Sequence, residues 1–299
     1  MRQREILYPV VLALLWGFNW PAVKIVLSEV PVFVLRSIGL TSGGLLLLGV
    51  ALLLRRRLSV DSTSWFPLAA AGALNIAAFN IFSAFAQLNT TTSRAAILTY
   101  TMPIWSTLLA ALFLREPVGR DKIIALVAGA SGIALLAVPV FESGLILGVV
   151  LPLLSALAWA LGIVVQKKWP IAGDPIVTTS YQLLIGAAIS SICLLATGQA
   201  VPETISATVM AAFAFHIVGA TATAYLLWFT ILDRNSASTS ALLSFAVPVV
   251  GVLSAMLLVG DRPSLADMIG FGAILLAAGL AMRSSLAGRV SGPKASRRP

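Results

Sequence analysis

The sequence predicts an all-α integral membrane protein whose helices span the bilayer. Hydrophobic residues make up 59% of the chain and charged residues only 10%, whereas a soluble domain carries about 25% charged residues. Apolar stretches of roughly 18 to 25 residues recur along nearly the whole length, and each can cross the hydrocarbon core of a bilayer. Because the stretches are continuously apolar and do not alternate, they favour helices over the strands of a barrel.

Turn-forming residues divide the chain into ten predicted helices. Pro31, Pro117, Gly144 and Pro263 are among the residues that separate the apolar stretches. The predicted helices cover roughly residues 7–27, 32–54, 65–87, 94–114, 121–140, 144–166, 175–197, 206–232, 237–259 and 265–283. The loops between them are short, so nearly all of the mass is expected in the membrane, with no soluble catalytic domain.

A repeated segment relates the two halves of the chain. "SRAAILTYTMPI" (93–104) and "STSALLSFAVPV" (238–249) match at an offset of 145 residues, and Trp16 matches Trp159 in the first helix of each half. Because each half holds five predicted helices, an odd number, the second half is expected to cross the membrane in the opposite direction. Such inverted repeats are typical of secondary transporters. The predicted units are two five-helix repeats, 1–141 and 142–285, and a basic tail, 286–299.

The basic residues predict how the protein is oriented. Ten helices put both termini on one side of the membrane, and all but four of the 20 Lys and Arg lie on that side. The positive-inside rule therefore predicts cytoplasmic termini for a multi-pass protein of the bacterial inner membrane. The formal charge of +9 is then an orientation signal and not a nucleic-acid footprint, and the tail is expected near anionic lipid. We expect the protein to function as a monomer.

The order of the motifs is similar to that of a known transporter family. The first half carries "LLWGFNWPAVKI" (14–25), Arg36 and "LREPVGRDKIIALVAGASGIALL" (114–136), and the second carries "ALAWALGIVVQKKW" (156–169) and Gln182. With the repeated segment, this set resembles the EamA branch of the drug/metabolite transporter superfamily. The resemblance implies ten helices around one central cavity, lined mainly by helices 1, 3, 4, 6, 8 and 9. It also implies export of aromatic and other neutral amino acids, since the overall likeness is to the amino-acid exporters of that branch.

Aromatic and polar residues inside the spans predict a substrate-binding cavity. Residues three and four apart share a helix face, which groups such side chains in the first, third and eighth helices. The predicted substrate-binding residues are Trp16, Asn19, Phe79, Ser83, Tyr100, Trp159, His216, Trp228, Ser244 and Phe245. His216 is either a cavity donor or a satisfied core histidine. Lys24 and Arg36 either extend to the outer interface or function in transport. Trp65, Trp105 and Trp169 are assigned to interfacial belts or packing.

Pro103 and Pro248 occupy matching positions in the fourth and ninth predicted helices. Each removes an intrahelical hydrogen bond and clashes with the carbonyl group four residues back, at Thr99 and Ser244. Nearby hydroxyl groups can satisfy the backbone groups that are freed. We interpret the two prolines as paired gating hinges, one in each half, and an ordinary bend without a role in gating is the alternative.

The composition also argues against several classes of function. With one His, one Cys and no Asp or Glu in the middle of a predicted span, the chain lacks the nucleophile, base and orienting group of a hydrolase. No phosphate-binding loop or metal-ligand cluster occurs, so neither enzymatic activity nor a cofactor is expected. A channel is disfavoured because the symmetry axis of inverted repeats lies in the membrane plane, whereas channels are usually symmetric around a pore.

The lack of a carboxylate in the spans also bears on the substrate. A proton relay built on carboxylates is disfavoured, and so is a lipophilic cation, which related exporters bind through such a group. A small zwitterion fits better, because aromatic faces can hold its side chain and its ammonium group. The sequence thus predicts a secondary transporter that exports aromatic and other neutral amino acids by alternating access. Export of drugs, lipophilic cations or other metabolites is the alternative.

Overall fold

Every regular element that the structure, a computed structural model, describes is helical. The described residues are 3–114, 119–142, 146–234 and 246–290. The α-helices, named in chain order, are α1 (Gln3–Val26), α2 (Val32–Leu53), α3 (Trp65–Ala71), α4 (Phe79–Asn89), α5 (Thr92–Thr99), α6 (Met102–Leu114), α7 (Arg120–Glu142), α8 (Leu147–Lys168), α9 (Pro175–Thr197), α10 (Ala207–Phe215), α11 (Ala224–Arg234), α12 (Ala246–Leu258) and α13 (Leu265–Val290). A short 3₁₀ turn, Ser62–Ser64, precedes α3.

The described helices are apolar enough to belong in a membrane. Seven helical stretches within the described ranges have the length and composition of a membrane span, and they coincide with the first four, sixth, seventh and eighth predicted spans. The other predicted spans coincide with the shorter apolar helices Leu126–Leu136, Ala246–Leu258 and Leu265–Ala277. Leu195 and Leu257 are 82% and 80% exposed, as suits a surface that lipid solvates. The protein is therefore a multi-pass membrane protein.

α2 packs along α9 in the antiparallel direction. Near the start of α2, the Phe33 amide donates to the side-chain oxygen of Gln199, 2.9 Å away. At its middle, the Ser180 hydroxyl donates to the Gly44 carbonyl at 2.8 Å, and beyond its end Arg56 lies 3.6 Å from the Asp174 carboxylate. Since residue numbers rise along one helix while they fall along the other, the two helices run in opposite directions.

α7 and α13 form a second antiparallel pair. A Cβ added to Gly129 would lie 3.4 Å from the Cβ of Ala277, and one added to Gly270 would lie 2.8 Å from Leu136. Glycine at position 270 permits this close approach, since any larger residue would require Leu136 to shift. The second and seventh predicted helices therefore pack antiparallel, and so do the fifth and tenth.

Two π-helical segments interrupt long helices at equivalent places in the chain. The first π segment, Gly72–Ala78, joins α3 to α4, and the second π segment, His216–Thr223, joins α10 to α11. Their offset is that of the sequence repeat to within one residue. Single π turns widen a helix and are frequent at functional sites. Both segments face the cavity or its wall, as described below.

The fourth predicted helix is broken just before Pro103. α5 ends at Thr99, and α6 begins at Met102, so Pro103 lies in the first turn of a helix, where its missing N–H needs no partner. The Thr101 hydroxyl donates to the Leu98 carbonyl at 2.7 Å. The sequence suggested that a hydroxyl near Pro103, such as that of Thr99, would bind a freed backbone group. The Thr99 hydroxyl has no partner among the described residues. Pro248 is buried in α12, and the residues just before this helix lie outside the described ranges.

Candidate substrate cavity

A cavity lies at the centre of the helices, between the two halves of the chain. It encloses about 580 Å³ between the atoms of its walls, including space open to solvent. Its lining residues come from both halves: Trp16, Asn19, Trp20, Val23, Arg36, Phe79, Asn80, Ser83, Gln87, Tyr100, Met102, Trp159, His216, Ala220, Thr221, Tyr225 and Val247. These residues belong to the six predicted helices that the family resemblance implied, and Arg36 adds the second helix to them.

Five aromatic rings pack together at the cavity, and we call them the aromatic group; four of them line it, and Trp228 packs behind Trp16 and Trp159. Trp159 is at its centre, with ring centroids at 4.7 Å to Phe79, 5.6 Å to Trp228, 5.7 Å to Trp16 and 6.3 Å to Tyr225. The Trp16 ring also contacts Tyr225 and Trp228, at 5.5 and 5.6 Å. Such tilted and edge-to-face pairs stabilise one another beyond their buried area. The wall offers ring faces and edges to an apolar or cationic ligand.

Hydrogen bonds hold the aromatic group against the π segments. The Trp16 indole N–H donates to the Ala220 carbonyl in the second π segment, at 3.2 Å. In the other half, the Asn75 side chain in the first π segment donates to the Trp159 carbonyl, at 2.8 Å. Residues 16 and 159 are repeat partners, and so are residues 75 and 220. The same contact therefore occurs twice, with the donor in the tryptophan in one case and in the π segment in the other.

Two pairs of repeat partners also touch each other directly. Asn80 and Tyr225 are 145 residues apart, and the Asn80 side-chain N–H donates to the Tyr225 hydroxyl at 2.7 Å. Trp16 and Trp159 are in ring contact, as described above. In a structure with twofold pseudosymmetry, equivalent residues can contact each other only near the axis. Both pairs line the cavity, so matching residues of the two halves meet there.

A chain of three polar side chains lines another part of the cavity, and we call it the polar group. The Asn19 side-chain oxygen lies 2.7 Å from His216 Nδ1, and His216 Nε2 lies 3.4 Å from Arg36 Nη1. An amide oxygen only accepts, so this arrangement puts the proton of a neutral imidazole on Nδ1 and leaves Nε2 to accept from Arg36. Arg36 and His216 are each only 1% exposed. Extension of Arg36 to the outer interface is therefore wrong, and His216 is both a satisfied histidine and a lining residue.

Lys24 binds the protein backbone beside the cavity. Its ammonium group donates to the carbonyl of Gln87, a residue whose side chain lines the cavity. This hydrogen bond joins α1 to α4, so the Lys24 side chain has a structural contact. Lys24 is half-buried, so it neither extends fully to the outer interface nor lines the cavity.

A second set of polar contacts ties α5 to the C-terminal part of the chain. Arg94 binds the Asp267 carboxylate through Nη2 at 2.6 Å and through Nε at 2.8 Å. The neighbouring Ser93 amide donates to the Asp261 carboxylate at 2.7 Å. Asp261, which follows the ninth predicted helix, thus binds the start of α5 in the fourth predicted helix.

Seven of the ten residues predicted to bind substrate line the cavity, namely Trp16, Asn19, Phe79, Ser83, Tyr100, Trp159 and His216. Trp228 does not line it but packs against Trp16 and Trp159. Ser244 and Phe245 lie outside the described residues. Trp65 and Trp169, assigned to belts or packing, are 48% and 42% exposed.

The list of predicted substrate-binding residues omits several lining residues, above all Arg36, Asn80, Gln87 and Tyr225, although the last three belong to the predicted cluster of aromatic and amide residues in the spans. One signal in the sequence could have found two of them. Asn80 and Tyr225 are polar residues at the same offset as the repeated segment, and repeat partners near the axis face the same cavity. No comparable signal points to Arg36, because a cation near the start of a predicted span can also extend to the interface.

The fold and the cavity define a class of protein. A bundle of membrane helices from two equivalent halves, with a cavity between them, is the architecture of a membrane transporter. The model of the EamA-like transporter family matches this chain twice, over residues 3–138 and 146–283. The chain therefore belongs to the EamA-like transporter family, whose members move small molecules across membranes.

Individual relatives agree with this assignment. The uncharacterized transporter YvbV of Bacillus subtilis is 28% identical over 276 residues, which are 90% of this chain and 88% of the relative. Protein PecM of Dickeya dadantii is 29% identical over 228 residues, 74% of this chain and 75% of the relative. A solved crystal structure superposes with a TM-score of 0.66 at 20% identity and covers 98% of this chain and all of the other. At this identity the match establishes the fold.

Proposed function

We propose that the protein is a secondary transporter that exports aromatic and other neutral amino acids across the bacterial inner membrane by alternating access. The observation that carries the proposal is the composition of the cavity wall. Four rings of the aromatic group form one part of it, and Asn19, His216 and Arg36 form another. An amino acid with an apolar side chain has the same two parts, an apolar body and a charged, hydrogen-bonding head.

Alternating access requires two halves that can exchange shapes, and we propose ten spans arranged as two inverted repeats, 1–141 and 142–285. Three observations support this. The family model matches each half separately. The π segments recur at the repeat offset. The equivalent helices of the two halves pack antiparallel, which follows if the second half crosses the membrane in the opposite direction.

The proposed substrate site comprises the ten predicted residues and the cavity residues that the sequence did not identify. Trp16, Phe79 and Trp159 would hold the apolar side chain of the substrate by ring contact. Its ammonium group would interact with a ring face, an interaction of about 0.5 to 2 kcal/mol. Hydrogen bonding to the head group would come from Ser83 and the polar group.

The proposal also covers the orientation and the competing substrates. Cytoplasmic termini follow from the distribution of Lys and Arg in the sequence, and the basic tail 286–299 would lie near anionic lipid.

Action as a monomer is proposed because one chain supplies both walls of the cavity. A lipophilic cation is disfavoured because the cavity lining of the described residues contains Arg36 and no carboxylate, and a cation would be repelled there.

Counterflow in liposomes tests this function. Purified protein is reconstituted as the sole protein into liposomes loaded with unlabelled L-phenylalanine, and uptake of external labelled L-phenylalanine is followed with and without a pH gradient. We expect transient accumulation of label without a gradient, because a carrier exchanges substrate down its own gradient. Empty liposomes and the Trp159→Ala variant provide the controls. Accumulation no greater than in empty liposomes for every neutral amino acid would refute amino-acid export.

A further inference from the structure

Arg36 is a buried cation with unused hydrogen-bonding capacity in the cavity wall. Its side chain is 1% exposed and lines the cavity. Its Nη1 reaches His216 Nε2 only at the long distance of 3.4 Å, and its Nε has no hydrogen-bond partner among the described residues. An unsatisfied polar group in the interior is costly, and an uncompensated charge costs more.

No carboxylate within the described part of the chain compensates this charge. The ion pairs formed there involve Arg56 with Asp174 and Arg94 with Asp267. The other polar side chains in the described lining of the cavity carry no formal charge: the His216 imidazole, which carries its proton on the nitrogen that faces Asn19, and residues such as Asn80, Gln87 and Tyr225. The wall around Arg36 therefore has a net positive charge that an anionic group of a ligand would neutralise.

We infer that the Arg36 guanidinium binds the carboxylate of the transported substrate, and that a free carboxylate is a requirement for recognition. This inference rests on the proposed transport function and adds the substrate class: carboxylates with an apolar body, of which neutral amino acids are one kind. The guanidinium is planar and presents parallel N–H groups that match the two oxygens of a carboxylate. The unsatisfied Nε is one of these donors, and a carboxylate in the cavity would give it a partner.

His216 and Asn19 act as positioning residues in this scheme. The Asn19 oxygen fixes the imidazole tautomer, and the imidazole in turn accepts from one end of the guanidinium. Gly39 leaves room for the imidazole, because a Cβ at this position would lie 3.1 Å from the His216 ring. The guanidinium is thus held at Nη1, while Nε has no partner among the described residues. The aromatic group meets the apolar body of the same ligand, since both groups line one cavity.

Ligand-induced stabilisation of the purified protein tests the inference without requiring transport. A ligand that binds the folded state raises the unfolding temperature in proportion to its affinity and concentration. The probes share one phenyl ring and differ in the head group: L-phenylalanine, 3-phenylpropionate, L-phenylalaninamide and 2-phenylethylamine. We expect the two carboxylates to bind and the amide and the amine to bind about tenfold to a hundredfold more weakly, as the loss of one charge-assisted pair predicts.

Three variants identify the cation responsible. Arg36→Gln should reduce carboxylate binding to the level of the amide. Arg36→Lys, which keeps the charge but loses the planar pair of donors, should retain part of the preference. The matched control Arg262→Gln removes an exposed cation and should leave the preference for carboxylates unchanged. If Arg36→Gln does not fold, the comparison of acid with amide in the unaltered protein decides the question.

The two proposals fail in different ways. Equal binding of L-phenylalanine and its amide to the unaltered protein, or an unchanged preference in Arg36→Gln, would overturn the role of Arg36 even if amino acids are transported. Binding of 3-phenylpropionate that depends on Arg36, without counterflow of any amino acid, would support the carboxylate site and refute amino-acid export. Failure of both carboxylates to stabilise the protein would overturn the inference.

Discussion

Gly162 occupies a position where α8 crosses the first π segment with no space for a side chain. A Cβ added there would lie 2.2 Å from the Asn75 side-chain oxygen and 2.6 Å from its nitrogen. Asn75 would have to move. It donates to the Trp159 carbonyl at 2.8 Å and accepts from the Gln166 side chain at 2.9 Å. Gly162→Ala should therefore disconnect the π segment from the residue at the centre of the aromatic group.

The cost of Gly162→Ala follows from these contacts. Loss of the two hydrogen bonds costs about 1 to 3 kcal/mol together, and forcing a methyl group into a packed site costs about 1 to 3 kcal/mol. Alanine in a helix interior stabilises the helix by about 1 kcal/mol relative to glycine, which offsets part of this loss. The variant should lose about 1 to 5 kcal/mol of unfolding free energy. The matched control is Gly272→Ala in α13, where nothing lies within 4 Å of the added Cβ, and it should gain up to about 1 kcal/mol.

Unfolding of the micelle-bound protein with sodium dodecyl sulfate, followed by tryptophan fluorescence, compares the two variants. We expect Gly162→Ala to unfold at a lower detergent fraction than the unaltered protein and Gly272→Ala at the same or a higher one. In liposomes, Gly162→Ala should also transport more slowly, because the Trp159 backbone has lost its partner. If Gly162→Ala is as stable as Gly272→Ala, the described packing of α8 on the π segment is refuted.

Two further predictions concern topology and gating. In a Cys193→Ala background, a cysteine at Ser143 should react with an impermeant thiol reagent outside intact cells, and one at Ser59 should not. The positive-inside rule puts Ser59 in the cytoplasm. Labelling of the cysteine at position 59 from outside would contradict the proposed orientation. If the two halves are the inverted copies proposed above, Pro103→Ala and Pro248→Ala should shift the accessibility of a cysteine in the cavity wall in opposite directions. The reason is that each removes the restriction that proline places on the residue before it, which favours a break in the helix. Shifts of the same sign, or none, would make the prolines simple bends.

The sequence was sufficient to predict the apolar helices. Hydropathy is a local property, so the membrane helices follow from runs of apolar residues. The match of Trp16 with Trp159 came from the repeat alone, and the structure brings the two rings into contact at 5.7 Å. A shared offset relates two positions in the sequence, and it does not by itself predict that their side chains touch.

Other features depend on tertiary packing and left no local pattern. The π segments contain ordinary helix-forming residues, and their extra turn is held by distant partners such as the Trp16 indole on the Ala220 carbonyl. Arg36 lies near the start of a predicted span, where extension to water and burial are equally compatible with the sequence. Its burial depends on His216, 180 residues further along the chain. Pro103 did mark a helix interruption, but the break precedes it because proline is better accommodated in a first turn.

Accessibility of the cavity from both faces of the membrane tests the central claim most directly. Ser83 lines the cavity and is 5% exposed, and its hydroxyl donates to the Asn80 carbonyl in its own helix, at 3.0 Å. Ser83→Cys in the Cys193→Ala background is therefore a small change. In oriented vesicles, a transporter that alternates should expose this thiol to an impermeant reagent from either face, and L-phenylalanine should protect it from both. Reaction from one face only, with or without L-phenylalanine, would contradict alternating access through this cavity.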